Sequence, residues 1–337
     1  MMIPVGYYPC TQDPTGGKQV DRLIDEILTQ AELCEQSNFD GFFFTEHHQQ
    51  EDGYLPNPIM MAGLVGARTN RIKVGTCVAL APLYHPIRLA EDCALVDLAT
   101  KGRLQLALGI GYQDIDFEAF GINPKQRVRR SEEVFSVLRD AWAGKRVSAL
   151  SSDYQFKDVL VTPTPYQSKP DIWLAAWSEP GVKRAASIAD GWIIDPIQSL
   201  SVLKKEADIY REHCEKAGRK PFICLMRDAV IGETVEEAKA LAEPTMETQR
   251  WYYQHGAYVQ DEHIKNVSSV DQLTFEIAAK ERILYGNADA VLEQLSQYEE
   301  QIKPDYLIVR MRHPGGPDQQ QALHDIQMFG EQVIPRL

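Results

Sequence analysis

Glu46, His47 and His48 stand together where the apolar run DGFFFT (40–45) ends. Histidine is the common general acid or base near neutral pH, and a neighbouring carboxylate can fix its tautomer. Acid–base chemistry at the rim of a cavity is one reading of this strand end. A strand end that happens to be polar is the other. A metal site is the weaker alternative: two adjacent histidines on an extended chain point apart, and no H-x-H or H-E-x-x-H spacing accompanies them.

Three further segments carry residues suited to ligand binding. VGTCVALAPLYHP (74–86) puts Cys77 and Val78 at the far end of a strand. His85 precedes a proline, which favours an extended conformation and a structural role. LGIGYQDIDFEAFG (108–121) exits through Gly109 and Gly111, which would let a flat or phosphorylated ligand approach the backbone; a close helix–strand crossing explains the pair as well. A dinucleotide fingerprint is excluded, since the third glycine and the later acidic residue are missing from their context. AAWSEPGVKRAAS (175–187) runs from a strand straight into a helix, with Ser178 in N-cap position and Pro180 in the first turn. The free N–H groups there make either a phosphate cradle or a plain helix start.

Apolar strand-length runs alternate with amphipathic helix-length runs to position these residues. Strands are expected at 3–8, 39–45, 72–80, 102–111, 170–178, 191–196, 222–232 and 305–312. Helices are expected at 20–36, 58–69, 86–100, 129–143, 180–189, 200–217, 234–254, 288–300 and 318–334, with a strand pair near 154–163 as an excursion. Eight strands, each followed by a helix, predict an α/β fold of the (β/α)₈ TIM-barrel type, 1–337 forming a single domain; an open doubly wound sheet is the runner-up. Between strands seven and eight, residues 233–286 exceed one crossover helix and include RWYYQHGAYVQDEH (250–263). A lid or substrate wall and an accessory hairpin over a subunit interface both fit, and Trp177, Trp251 and Tyr252 are candidates for apolar pocket walls.

Bulk properties exclude several classes. The 337 residues are 44% hydrophobic and 25% charged, as in ordinary globular proteins. A net charge of -13 argues against a nucleic-acid partner, though backbone donors can still hold a small phosphorylated ligand. Six scattered cysteines without a C-x-x-C pair read as reduced thiols. With no signal-peptide pattern and no apolar run of membrane-spanning length, the expectation is a soluble cytoplasmic protein with no membrane partner.

Taken together, TEHH (45–48), the stretch from VGTCVALAP through LGIGYQDIDFEAFG (74–121), and ADGWI (189–193) resemble the bacterial luciferase-like flavin monooxygenases. The ending YGNADAVLEQLSQYEEQIKPDYLIVRMRHPGG (285–316) is similar to the non-luminescent oxidoreductase branch of that superfamily. The resemblance implies a barrel with FMN at the C-terminal mouth and a catalytic role for His47, with Glu46 or His48 in support. It implies a non-prolyl cis peptide at Cys77–Val78 beneath the flavin ring. It also implies cofactor contacts from Gly109, Ile110, Gly111 and Tyr112, and a phosphate loop at Ala176, Trp177 and Ser178. Where luciferase has an arginine and a glutamate near the phosphate, this chain has Ile110 and Ala176, so Arg127 or Arg130 is the expected cation unless QRVRRSEE (126–133) is only a solvated helix start.

The implied reaction is two-component oxygenation. An NAD(P)H:flavin reductase supplies reduced FMN, O2 adds to give a flavin 4a-hydroperoxide, and a small organic substrate is oxygenated. The alternatives are a deazaflavin-dependent dehydrogenase on the same barrel and a flavin-binding protein without turnover. A homodimer, or a heterodimer with a related barrel, is expected through the helices of the second and third crossovers, and no metal is expected.

Overall fold

A computed structural model describes residues 3–13, 15–258 and 261–337; Val259 and Gln260 of the aromatic segment lie outside the described residues. Eight parallel strands appear where the apolar runs predict them. They are β1 Val5–Tyr7, β2 Gly41–Phe44, β3 Lys73–Thr76, β4 Leu104–Gly109, β5 Ile172–Ala175, β6 Gly191–Ile194, β7 Ile223–Ile231 and β8 Tyr306–Arg310. Each pairs with the next, and β8 returns to β1 in the register Val5↔Leu307. That closure makes the sheet a (β/α)₈ barrel and rules out the open doubly wound alternative.

The helices are α1 Val20–Gln36, α2 Pro58–Arg68, α3 Pro86–Ala99, α4 Asp114–Ala119, α5 Arg127–Trp142, α6 Glu179–Ile188, α7 Leu200–Lys216, α8 Val235–Ala240, α9 Glu243–Gln254, α10 Phe275–Ala279, α11 Ala288–Ile302 and α12 Gln319–Met328. Their starts follow local chemistry. Asn57 caps α2 ahead of Pro58, Asn287 caps α11 and Asp318 caps α12, each accepting an N–H of the first turn.

The structure departs from expectation in four places. The third strand breaks at Cys77–Val78, a cis peptide, and resumes as Ala79–Leu80 beside β4. The excursion is an antiparallel pair of Arg146–Val147 with Val159–Leu160, so its first strand starts before residue 154. The helix predicted over 234–254 is two helices, α8 and α9, because Pro244 opens a new first turn. A strand that the periodicity misses, Ile283–Gly286, pairs with the distal half of β7 at Asp228–Ile231. Four apolar residues behind Glu281 and Arg282 are too short a run to stand out; the overhang of the nine-residue β7 supplies the pairing.

Alternation along β2 decides what fills the barrel. Phe42 and Phe44 face the helices and pack with Tyr7 and Phe39, while Phe43 turns into the lumen. There its ring meets Tyr306 edge-on at 5.9 Å and Trp173 at 6.4 Å, closing the barrel beneath its C-terminal mouth. Replacing Phe43, which is fully buried, leaves a cavity that three β-strands cannot collapse to fill. Phe43→Ala should therefore lower unfolding free energy by about 3–5 kcal/mol in denaturant titration.

A second prediction concerns pH. Glu206 on α7 is only 6% exposed, and its Oε2 has no partner. Burial, with Asp195 nearby, pushes its carboxyl up to about 8. The unfolded chain loses this proton from about pH 4.5 upward while the folded chain keeps it. Stability should fall as pH rises from about 4.5 to about 8, and level off above. Glu206→Gln should gain on the order of 3 kcal/mol over the wild type between pH 5 and 8 in urea midpoints, and parallel profiles would contradict this.

Candidate active site

The β2 alternation continues past the last paired residue. Thr45 and His47 line a cavity of about 280 Å³ at the C-terminal mouth of the barrel, and His48 does not line it. His47 Nδ1 lies 2.9 Å from Asp116 Oδ2, on α4, and Asp116 Oδ1 accepts the backbone N–H of His48 at 2.8 Å. Asp116 is fully buried and spends both oxygens on this loop. The Gln113 amide sits 3.4 Å from His47 Nε2, and Tyr54 and Tyr112 hold the imidazole edge-on at 4.9 and 5.6 Å.

The other two polar residues form a separate unit. His48 Nε2 pairs with Glu46 Oε1 at 2.8 Å, and Glu46 Oε2 accepts the Leu80 N–H and the Tyr84 hydroxyl at 2.8 and 3.0 Å. Phe120 covers the His48 ring at 4.7 Å. Glu46 reaches the cavity wall, yet its oxygens are committed to the segment after Cys77–Val78. The carboxylate that orients His47 is therefore Asp116, not Glu46. Nothing in the spacing of Asp114, Asp116 and Glu118 singles it out.

Cys77, Val78, Gly109, Ile110, Gly111 and Tyr112 line the same cavity. Neighbouring side chains already require the two glycines. A Cβ on Gly109 would meet Val78 Cγ2 at 2.5 Å; Gly111 has a φ of +73°, and its Cβ would meet Phe117 at 2.9 Å. Burial pushes the Cys77 thiol up, so it is no thiolate nucleophile. His85 packs against Tyr154 and Phe156 and is structural, as its proline predicts.

One end of the cavity collects donors. Ala176, Trp177, Ser178 and Gly181 line it at the start of α6. Ser178 occupies the N-cap position, but its hydroxyl caps nothing, and the Ala176 carbonyl is taken by the Trp192 indole at 2.9 Å. Arg127 and Arg184 reach this wall, with Arg184 steadied by Glu132 at 2.8 Å. Arg130 does not: it donates to the Pro82 and Asp153 carbonyls and lies over the Tyr154 ring. Two guanidinium groups and a helix N-terminus form an anion cradle. Arg184 lies two turns into α6, and only the fold brings it to the cradle.

The cavity floor holds Tyr8, Asp195, Met226, Tyr252 and Arg310. Arg310 grips Asp228 through Nε and Nη2 at 2.8 and 3.0 Å. Burial would raise the Asp228 carboxyl, but Arg310 overrides it and holds it below the usual range. Gln249 of α9 donates to Asp228 Oδ2 at 3.1 Å and accepts the Tyr258 hydroxyl, so the insertion hangs from this pair. Next to it His313, bonded to Thr248 at 3.0 Å, is driven down to about 3 by burial and by Arg310 and stays neutral. Asp195 Oδ1 accepts the Ile197 N–H, while Oδ2 is buried without a partner and burial raises its carboxyl. Charged residues inside FICLMRDAVIG and DYLIVRMR are a sequence sign of such a pair, since a buried charge needs a partner.

Outside this cavity lies a second of about 660 Å³, and Tyr112, Trp177, Ser178, Ile197 and Tyr252 line both. Trp251 lines only the outer one. Among the described residues no group of three His, Cys, Asp or Glu side chains gathers as a metal site, the six cysteines are unpaired and buried, and no helix is long and apolar enough to cross a membrane.

Comparison with known proteins fits this architecture. The chain is 28% identical over 338 residues to the F420-dependent glucose-6-phosphate dehydrogenase of Microbacterium testaceum, covering 93% of each. It is 24% identical over 294 residues to the oxygenase component of the flavin-dependent trigonelline monooxygenase of Acinetobacter baylyi, covering 82% of this chain and 81% of that one. The oxygenating constituent of 3,6-diketocamphane monooxygenase from Pseudomonas putida shares the fold, with a TM-score of 0.81 at 18% identity over 100% of this chain and 99% of that one. The model of the family described as luciferase-like monooxygenase matches residues 7–302, and the chain belongs to that family.

Proposed function

We propose that this protein is an FMN-dependent monooxygenase that oxygenates a small organic substrate with O2, taking reduced FMN from a separate NAD(P)H:flavin reductase. The observation that carries the reading is the His47–Asp116 pair on the wall of a cavity whose far end is an anion cradle. The residues fit FMN: Arg127, Arg184, Ser178 and the start of α6 suit its phosphate, while Cys77–Val78, Gly109–Tyr112 and Trp177 offer a flat wall for its ring. Reduced FMN, when bound, supplies the electrons that activate oxygen. The oxygenase component from Acinetobacter supports a partner reductase.

In this reading His47 is the catalytic acid–base group. Asp116 at Nδ1 favours the tautomer with its proton there and leaves Nε2 to take or give a proton. Asp116 is a positioning residue, and Glu46 and His48 hold the wall in place. Residues 233–286 act as a lid and substrate wall on a single barrel domain, with Tyr252 reaching in and Trp251 outside. A homodimer has a surface to use, since Met60 and Leu64 on α2 and Leu95 and Leu98 on α3 are exposed.

A deazaflavin-dependent dehydrogenase is the second reading, favoured by the F420-dependent relative that is matched over 93% of its length. One experiment separates the two. The protein is titrated with FMN and with F420, then mixed anaerobically with reduced FMN before air is admitted. FMN should bind, and the wild type should slow flavin reoxidation relative to free FMN. His47→Ala should bring reoxidation about 10²-fold closer to the free rate, and Asp116→Asn should act in the same direction by less. Tight F420 binding with no effect on FMN reoxidation favours the dehydrogenase. Reoxidation at the free rate despite FMN binding leaves a flavin-binding protein without turnover.

A further inference from the structure

The outer cavity is built from flat rings. Tyr112 and Trp177 lie 5.1 Å apart on one side; Trp251 meets Tyr252 edge-on at 5.6 Å and stacks on His255 at 4.0 Å on the other. Tyr112, Trp177 and Trp251 keep 42%, 39% and 38% of their surface exposed. Large rings left in water around one concavity mark a binding site, and about 660 Å³ lies within the usual range for small-molecule pockets.

The lining also says what the guest is not. Among the described residues of this cavity Asp114 is the acidic side chain and His255 the histidine, and no lysine or arginine appears. An anionic guest finds no cation there. The cations of the inner cavity are already engaged, Arg127 and Arg184 at the anion cradle and Arg310 with Asp228. A flexible alkyl chain would gain area against the rings but none of their electrostatic complementarity with a second π-system.

We infer that the outer cavity takes a planar aromatic compound that carries no negative charge, held between Trp177 and Trp251. The inference rests on the oxygenase reading, because this guest is the molecule that the site beneath would oxidise. Trp177 and Trp251 are then the residues that determine specificity.

Isothermal titration calorimetry on the full chain, with and without FMN, tests this with four probes: 2-naphthol, 2-methoxynaphthalene, 2-naphthoate and decanal. 2-Naphthol and 2-methoxynaphthalene should both bind about tenfold more tightly than 2-naphthoate or decanal. Trp251→Ala should weaken 2-naphthol about tenfold, while Trp251→Phe recovers most of the loss. Decanal or 2-naphthoate binding as tightly as 2-naphthol overturns the inference, and so does unchanged 2-naphthol affinity in a folded Trp251→Ala. FMN affinity, followed by flavin fluorescence, keeps the two claims apart. Loss of FMN binding with naphthol binding retained defeats the oxygenase reading alone, and the reverse defeats this inference alone.

Discussion

A carboxylate at position 228 sits inside the barrel wall, where an unpaired charge would be prohibitively costly. Arg310, one strand away, meets it with two nitrogens, and much of the site follows from that contact. The pair locks β7 to β8 at the mouth. It gives Gln249 of α9 a fixed anchor, and Gln249 in turn holds Tyr258, so the insertion is tied to the barrel by polar bonds as well as by packing. It puts a satisfied cation at the floor, beside His313, which burial first and Arg310 second hold neutral. Tyr252 reaches the inner cavity because α9 is held there.

The two histidines illustrate how a parallel barrel assigns different work to adjacent residues. A side chain changes face at each step along an extended chain, so His47 continues the inward set of Phe43 and Thr45 while His48 joins Glu46 on the other side. Each imidazole has its own carboxylate. Glu46 uses His48, the Leu80 N–H and Tyr84 to brace the wall around Cys77–Val78. Asp116 uses His47 and the His48 N–H to tie the β2 exit to α4. One pair frames the cavity, and the other presents a titratable group to it.

The barrel could be read from the sequence because its strands are buried on both faces and so appear as continuous apolar runs such as GFFF and LQLALG. Period-two alternation from Phe43 also puts His47 on the cavity wall, whereas the expectation that His47 and not His48 is catalytic comes from the family resemblance. What stayed hidden depends on contacts distant in sequence. Asp116 is one acidic residue among three in a six-residue helix, and only its bonds to His47 and to the His48 N–H, far back in the chain, set it apart. Arg127 and Arg130 look equally suited to an anion in the sequence, yet Arg130 is consumed by the Pro82 and Asp153 carbonyls, while Arg184, which no sequence pattern marks, reaches the cavity. The strand Ile283–Gly286 exists because β7 overhangs, and the overhang is a property of the barrel, not of those four residues.

An acidic chain with an anion cradle is no contradiction. At physiological ionic strength charges more than about 8 Å apart are largely screened, so the net charge of -13 acts on encounter more than on the bound state. In the proposed reading binding is decided within the cavity, where Arg127, Arg184 (itself paired with Glu132) and the first turn of α6 line one wall. At the other end Arg310 is cancelled by Asp228, and burial raises the Asp195 carboxyl. Charge thus falls from the cradle toward the floor and is nearly absent from the outer aromatic cavity. In the proposed reading the phosphate of FMN meets the arginines at the start of α6, and its uncharged ring lies in the cavity that His47 also lines, held in orientation by Asp116.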